Sequence, residues 1–354
     1  TDDAVVAFAQ NPATGQLDFL GCWADPLGEA LNPTDPSDTG DGPVESCWIG
    51  ATMERPTSVD VSPDGKHVYL AADDSSGVSV YARDAVSGML TPIGLATPGL
   101  DNLEQAKSVI VSPDGDNVYA VGFLSDTLFG WIRDPQTGGF DPVTAFVIKI
   151  GDLPQFSGMT STTGPRFVTL SPDGNNIYVA SAAAHAIVVF NRDINGGFTA
   201  IDVERDGLNG VTGLTGVQEI AVSGDGQHVY ANGRGDNALA IFDRNPDGSL
   251  EFVDDVRETD VGVTGLVQAQ GIGMSPDGTR LYVVNEGTTS NPAFTVFDRD
   301  VLTGALSFRE THPNMLGVTG YPRPGGVTAS PDGDHVYVAG QRGDAVAVFS
   351  PEPG

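Results

Sequence analysis

Val59-Asp-Val-Ser-Pro-Asp-Gly-Lys-His-Val-Tyr69 is the stretch that decides the fold, because close variants of it recur along the chain. Its serine falls at positions 62, 112, 171, 223, 275 and 330, so successive copies lie 50, 59, 52, 52 and 55 residues apart. A period near 50 residues, built from short alternating strands, is typical of propeller blades rather than of helical solenoids. The repeat therefore predicts an all-β protein, a β-propeller.

Each copy of the repeat predicts one blade of four strands. In the first copy, the strand Ser58–Val61 leads to Ser-Pro-Asp-Gly, where proline presets φ and glycine supplies the positive φ of a tight hairpin. Val68–Ala71 is the predicted second strand, Val78–Tyr81 the third and Leu90–Ile93 the fourth. Such a blade buries both of its faces against its neighbours.

The two chain ends hold incomplete copies. The third-strand phrase occurs seven times, whereas the Ser-Pro-Asp-Gly phrase, with Ser223-Gly-Asp-Gly226 included, occurs six times. Residues 1–21 supply a third and a fourth strand, and the last copy stops after its third strand. We therefore expect residues 1–354 to form a single propeller domain whose ring is closed by N- and C-terminal strands in one blade. The counts leave six and seven blades open.

The charge of the chain excludes some partners. Its 354 residues carry 17 Lys and Arg against 47 Asp and Glu, for a formal net charge of −30. Nucleic acids and anionic membrane surfaces both require a basic footprint, so neither is expected as a partner. No apolar run approaches the roughly 20 residues of a membrane span, so we expect no membrane insertion.

Two cysteines, Cys22 and Cys47, flank a loop insertion (residues 22–47) rich in Asp, Gly and Pro. Because both lie at the ends of one loop, we interpret them as a disulfide, which favours a secreted protein, extracellular or periplasmic. Free thiols are the alternative. Three carboxylates inside the loop could bind Ca²⁺, although their spacing does not match an EF-hand; no other cofactor is expected. They are Asp35, Asp38 and Asp41.

Residues that recur in every blade are interpreted as scaffold. We expect the aspartate of each Ser-Pro-Asp-Gly phrase to cap its turn. We expect the arginine after each third strand to form an inter-blade salt bridge or backbone contact; these residues are Arg83, Arg133, Arg192, Arg244 and Arg299. Three histidines share one position beside the hairpin and are expected to be solvated; they are His67, His228 and His335.

Long polar side chains that break the repeat are the candidate ligand-binding residues. They come just before or within the first strands, which propellers place near one mouth of the central channel. In a chain with few basic residues, cations converging there would form a pocket for a small anionic ligand. The alternative is that they hydrogen-bond neighbouring loops. The set is Arg55, Lys107, Arg166, Gln218, Gln270 and Arg323.

The phrase Val-x-Val-Ser-Pro-Asp-Gly-x-x-Val-Tyr, followed by a Val-x-Val-Phe strand, Arg-Asp and Gly-x-Leu, resembles the lactonase-type β-propeller family. That family includes 6-phosphogluconolactonase and carboxymuconate-cyclase relatives. The resemblance covers nearly the whole chain, implies seven blades and also supports the Cys22–Cys47 pairing. It further implies acid–base and arginine groups at the channel mouth, where His185, Glu219 and Arg166 are the candidates. The family's His-rich phrase is replaced by Thr163-Gly-Pro-Arg-Phe167.

Because that phrase is missing, we expect a secreted, non-catalytic propeller that acts as a binding or surface-assembly module with a protein partner. The alternative is a lactone-ring hydrolase or related cyclase whose site, formed by His185, Glu219 and Arg166, lies at the mouth of the central channel.

Overall fold

The structure is a computed structural model, and it describes residues 4–24, 48–49, 55–74, 76–96, 103–140, 145–157, 163–287, 292–313, 324–340 and 345–350. The chain comprises two compact units, Thr1–Lys149 and Ile150–Gly354. Each is built of sheets whose strands follow one another in chain order. The expectation that residues 1–354 form one domain stays a prediction, as does ring closure by strands from both chain ends.

The first unit holds three sheets in its described residues. The N-terminal sheet has β1 (Ala4–Gln10), β2 (Leu17–Ala24) and β3 (Trp48–Ile49), which pairs in parallel with β2. The next two sheets have four antiparallel strands each. They are β4 (Pro56–Val61), β5 (His67–Ala72), β6 (Gly77–Arg83) and β7 (Leu90–Ala96), then β8 (Ala106–Val111), β9 (Asn117–Gly122), β10 (Thr127–Ile132) and β11 (Phe146–Lys149).

The second unit holds three four-stranded sheets and one three-stranded sheet in its described residues. Two short 3-10 helices, Ile150–Asp152 and Pro154–Phe156, precede them. The first two sheets are β12 (Pro165–Leu170), β13 (Asn176–Ser181), β14 (Ala186–Arg192) and β15 (Phe198–Arg205), then β16 (Val217–Val222), β17 (His228–Gly233), β18 (Ala238–Arg244) and β19 (Leu250–Arg257). The others are β20 (Ala269–Met274), β21 (Arg280–Asn285), β22 (Ala293–Arg299) and β23 (Leu306–Pro313), then β24 (Pro324–Ala329), β25 (Val336–Gly340) and β26 (Ala345–Phe349).

The all-β prediction and the four-stranded antiparallel blade are confirmed. The predicted strands of the first copy correspond to β4, β5, β6 and β7. Within each unit, successive sheets pack through their first strands: β4 against β8, β12 against β16, β16 against β20 and β20 against β24. The second strands carry the core, because every residue of β5, β9, β13, β17 and β21 is buried. In the part of the chain that the structure describes, no helix has the length and hydropathy of a membrane span.

The Ser-Pro-Asp-Gly hairpin has the predicted turn chemistry. In the first copy, Gly65 has φ +69° and donates its N–H to the Ser62 carbonyl at 2.8 Å. The Ser62 hydroxyl donates to Asp64 at 2.6 Å and accepts from the His67 N–H at 3.0 Å. The aspartate therefore caps its turn as expected, since its carboxylate also accepts the Lys66 N–H.

The arginine after the third strand joins two neighbouring sheets through one repeated set of contacts, which we call the latch. Arg299 donates from Nε to the Tyr230 hydroxyl at 2.8 Å and from Nη1 to the carbonyl of Gly278 at 2.9 Å. Its Nη2 reaches Asp225 at 2.9 Å and Nδ1 of His228 at 2.6 Å. Two further latches have the same geometry, those of Arg133 with Tyr69 and of Arg244 with Tyr178.

The latch confirms the inter-blade role predicted for Arg133, Arg244 and Arg299, whereas Arg83 and Arg192 make the predicted backbone contact within their own sheets, to Gly65 and Gly174. One expectation is corrected. His67, His228 and His335 are buried, with exposures of 4%, 4% and 5%, so the prediction that they are solvated is wrong. The reason is visible at His67 and His228, whose Nδ1 faces the arginine of the next sheet. Burial and that positive charge lower the pKa of both histidines, so they are neutral acceptors.

Candidate functional site

A β-bulge recurs near the start of each first strand in the four-stranded sheets and in β24. One residue of the first strand has no partner there, or two in β16, so the register to the second strand shifts. Bulges re-aim side chains and are frequent beside active sites. Four of the candidate ligand-binding residues lie at this one position of four successive sheets: Lys107, Arg166, Gln218 and Gln270.

Two of the candidate cations are paired with a buried carboxylate. Lys107 Nζ lies 2.6 Å from Oδ1 of Asp73, which is 2% exposed, and Arg55 contacts the other oxygen of Asp73 at 3.3 Å. Arg55 also contacts Asp74 at 3.4 Å. In this structure Asp73 therefore supplies the counter-charge to both cations, and the hydrogen-bonding alternative describes them better than an open anion pocket.

Glu219 lies at the bulge of β16 and reaches the neighbouring sheet. It is half-buried, and its Oε2 accepts a hydrogen bond from the backbone N–H of Ile272 on β20 at 3.0 Å. Burial raises the pKa of Glu219 to about 7, although that hydrogen bond and the positive charge of Arg166 on β12 both act to lower it. A carboxyl that titrates near neutral pH beside an arginine is suited to acid–base chemistry.

A glycine lies near this carboxyl, and two glutamines occupy the bulge positions of β16 and β20. Gly271, the residue before Ile272, leaves space for the carboxyl, since an added Cβ there would lie 3.4 Å from Oε2 of Glu219. Gln218 is buried and donates from Nε2 to the carbonyl of Gly216 at 2.7 Å, whereas Gln270 is half-buried at the bulge of β20. Gln218 thus binds the loop before its own strand.

His185 occupies the turn between β13 and β14, as predicted. Its backbone has φ +55° and its side chain is exposed, and Nδ1 accepts the backbone N–H of Gly216 at 2.8 Å. No hydrogen bond joins His185 to Glu219 in the residues the structure describes. Of the three predicted catalytic residues, Arg166 acts on the pKa of Glu219 through its positive charge, and His185 binds the loop that leads into β16.

One residue of the site was missed by the sequence reasoning. Asn232, fully buried on β17, accepts the backbone N–H of Glu219 on Oδ1 at 2.7 Å. A signal was present in the repeat, because the equivalent position is apolar in the other copies. It holds Ala71, Val121, Ala180, Val284 and Ala339.

Several predicted residues lie outside the described residues: Arg323, the calcium candidates Asp35, Asp38 and Asp41, and Cys47. Cys22 is buried in β2, and its pairing with Cys47 stays a prediction. Among the residues that are described, no group of three or more His, Cys, Asp or Glu side chains is arranged to hold a metal ion.

The first unit contains a cleft of about 430 Å³ whose lining is mostly apolar, unlike the surroundings of Glu219. It lies between the β1–β2 hairpin and the sheet β4–β7, and apolar side chains such as Val5, Phe8, Val59 and Leu90 line it. Arg83 is its charged lining residue, so the cleft offers no paired acid and base.

Known proteins resemble this chain over part or most of its length. It is 24% identical to an uncharacterised protein of Staphylococcus epidermidis over 180 residues, 49% of this chain and 48% of that protein. It is 27% identical to an uncharacterised protein of Staphylococcus saprophyticus over 175 residues, 47% of this chain and 46% of that protein. The chain thus matches about half the length of these relatives.

Solved structures with the same fold cover more of the chain. A Bacteroides fragilis protein provisionally described as a 6-phosphogluconolactonase superposes with a TM-score of 0.73 at 18% identity, covering 99% of this chain and 88% of that one. A periplasmic gluconolactonase of Pseudomonas aeruginosa superposes with a TM-score of 0.62 at 19% identity, covering 87% and 77%. At such identities the likeness establishes the fold.

The expectation of a non-catalytic binding module is wrong. Three of the structural neighbours are described as 6-phosphogluconolactonases or a gluconolactonase, and another, from Kuenenia stuttgartiensis, is a hydrazine synthase. Because the matching family is named for lactonase activity, the alternative expectation is the better supported one. The family model "Lactonase, 7-bladed beta-propeller" matches residues 96–261 and 245–354, which together span well over half of the chain. Its description also favours seven blades over six. The chain therefore belongs to the lactonase family of seven-bladed β-propellers.

Proposed function

We propose that this protein is a lactone-ring hydrolase in which Glu219 is the general base and acid and Arg166 is its electrostatic partner. The main support is the state of Glu219 in a chain of the lactonase family. Glu219 is half-buried at a strand bulge, its pKa is raised to about 7, and the positive charge of Arg166, at the bulge of β12, acts on it. A group that titrates near the working pH exchanges protons most efficiently, because both of its forms are populated.

The chemistry needs no cofactor. Ionised Glu219 takes a proton from a water molecule, whose oxygen forms a bond to the carbonyl carbon of the lactone. The ring carbon–oxygen bond then breaks, and the protonated carboxyl returns the proton to the leaving ring oxygen. The product is a hydroxy acid, and Glu219 ends in its starting state. The guanidinium of Arg166 stabilises the negative charge that develops on the carbonyl oxygen, or it binds an anionic group of the substrate.

Sugar lactones are the proposed substrate class. The named neighbours support this choice, since they are described as 6-phosphogluconolactonases and a gluconolactonase. A phosphorylated lactone is a small anionic ligand, the ligand type that arginine recognises well. With a net charge of −30, the protein requires local cations such as Arg166 to attract it.

The test compares two glutamates that share a raised pKa and differ in position. Burial and the nearby Asp202 raise the pKa of Glu204 to about 7 as well, but Glu204 lies on β15, a fourth strand. Hydrolysis of glucono-δ-lactone and its 6-phosphate is followed by acid release. We expect Glu219→Gln to lower kcat by about 100-fold or more and Glu204→Gln to keep near wild-type rates. Equal activity of Glu219→Gln and wild type, or a folded wild type that hydrolyses neither lactone, would contradict the proposal.

We also propose that the protein works in an oxidising compartment, extracellular or periplasmic. The two cysteines at the ends of one loop and the acidic composition support this. Protein isolated from its natural source should take up thiol-alkylating reagent only after reduction, as judged by intact mass. Uptake of two alkyl groups without a reductant would argue for a reducing compartment.

A further inference from the structure

Asn232 breaks the repeat at a position where a polar group is costly. It lies in β17, a strand whose six residues are all buried, and its own exposure is 0%. The equivalent residue of every other copy is alanine or valine. A buried amide among apolar neighbours destabilises a protein unless its hydrogen bonds are satisfied, so retaining it calls for a compensating role.

The bulge next to Asn232 differs from the others. In the other sheets the first strand regains its pairing immediately after the bulged residue, as in Ser108↔Val121 and Phe167↔Ala180. The corresponding pair in the β16–β17 ladder would be Glu219 with Asn232, and it is absent; pairing resumes at Ile220↔Ala231. The wider bulge leaves the Glu219 N–H without a ladder partner.

The side chain of Asn232 replaces that ladder bond. Its Oδ1 accepts the Glu219 N–H at 2.7 Å. Because an N–H can only donate, the amide oxygen must face Glu219 and Nδ2 must point away, where it has no hydrogen-bond partner among the residues that are described. The amide is therefore held in one orientation by Glu219 itself.

Ser58, at the same position of β4, also accepts the N–H of the next first strand, from Val109 at 3.2 Å, but from an ordinary bulge. From this geometry we infer that Asn232 is a positioning residue, which holds the Glu219 backbone at the wider bulge of β16 and thereby sets how the longer Glu219 carboxyl lies against β20. The Ile272 N–H, which Glu219 Oε2 reaches at 3.0 Å, fixes the other end of the arrangement. An effect of Asn232 on turnover is expected only if the proposed lactone hydrolysis is correct. The positioning of Glu219 by Asn232 does not depend on that proposal.

The first test follows the protonation of Glu219 without any substrate. Carbon-13 NMR of labelled glutamate carboxyls, with Glu219→Gln to assign the signal, gives its pKa in each variant. Asn232→Ala installs the residue found at Ala71 and Ala180, which permits ordinary ladder pairing. We expect the displaced carboxyl to lose burial, the larger influence on it, so that the pKa of Glu219 falls by about one unit or more toward the ordinary glutamate value.

Two further variants separate positioning from packing. Val121→Ala alters the same position of β9, where Val121 is also fully buried, and should leave the Glu219 signal unchanged. Asn232→Asp keeps an acceptor oxygen for the Glu219 N–H and adds a negative charge, so the pKa should stay raised or rise further. An unchanged Glu219 titration in Asn232→Ala would overturn the inference, as would an equal shift in Val121→Ala.

The second test uses lactone turnover. Asn232→Ala should lower kcat roughly tenfold, with KM little changed, and shift the pH profile, because the carboxyl is displaced rather than removed. Wild-type kcat and an unshifted profile in Asn232→Ala would count against the positioning role. If wild-type protein hydrolyses no lactone, the proposed function fails, and the NMR titration still decides whether Asn232 positions Glu219.

Discussion

Glu219 on β16 accepts a hydrogen bond from the backbone N–H of Ile272 on β20, at 3.0 Å, and so links two neighbouring first strands. The residue before Ile272 is Gly271, which leaves space between this backbone, Gly326 and the carboxyl. Burial between the strands raises its pKa to about 7, against the opposing effects of the hydrogen bond and of Arg166. The proposed acid–base chemistry depends on this relationship.

Gly271→Ala should disturb the carboxyl. The added Cβ would lie 3.1 Å from Gly326 Cα and from Val284 Cγ2, and 3.4 Å from Glu219 Oε2. Because the crowded carboxyl would move off the Ile272 N–H, which lowers its pKa, we expect the pKa of Glu219 to rise above its wild-type value. Lactone turnover should fall about tenfold or more.

Gly326→Ala is the matched control, since Gly326 has the same position in the repeat and an added Cβ there meets nothing within 4 Å. It should behave as wild type in both turnover and titration. Equal losses in the two variants would show that crowding of Glu219 is not the cause.

Arg299→Ala should destabilise the fold, because the buried guanidinium serves four partners of the latch. Its removal leaves the Tyr230 hydroxyl and Asp225 without their charged donor, and we expect a loss of about 3 kcal/mol in the free energy of unfolding. Urea denaturation measures this. Arg309→Ala, which breaks the more exposed pair of Arg309 with Asp298, should cost less than about 1 kcal/mol. Similar losses in both variants would contradict the structural role of the latch.

His228→Asn should reduce the sensitivity of the fold to mild acid. The folded-state pKa of His228 is lowered by burial and by Arg299, so its contribution to stability is present above the unfolded pKa of about 6.5 and is lost as the pH falls toward the folded value. Asparagine occurs naturally at the equivalent position, where Asn176 accepts from Arg244 at 2.6 Å. Between pH 7.5 and 5, the melting temperature should therefore fall less in His228→Asn than in wild type.

The reciprocal change, Asn176→His, should add acid sensitivity to the neighbouring latch. Melting curves at half-unit pH steps compare the three proteins. A constant offset between His228→Asn and wild type across that pH range would contradict the assignment of a neutral, buried His228.

The repeat predicts the strands well because each blade has the same hairpin residues and the same alternating apolar pattern beside them. Pro63 and Gly65 set the hairpin, and the alternation on either side sets the strands, so β4 and β5 follow from a few adjacent residues. The arginine after the third strand is predictable for the same reason, since five copies carry it.

Contacts between blades are harder to derive from the sequence. The burial of His228 depends on Arg299, 71 residues later, and the pairing of Lys107 depends on Asp73 in the preceding sheet. Glu219 was identifiable as a departure from the repeat, but its neighbour Ile272 contributes only a backbone N–H, which no side-chain pattern reveals. Asn232 could have been found, because a polar residue in an otherwise apolar position is visible in the sequence.

The pH dependence of kcat/KM for glucono-δ-lactone hydrolysis tests the central claim most directly. For the wild-type protein we expect a transition with an apparent pKa near 7, which persists in Glu204→Gln and is absent from the residual activity of Glu219→Gln. A transition near pH 7 that survives in Glu219→Gln would show that another group titrates, and would contradict the assignment of Glu219 as the acid–base residue.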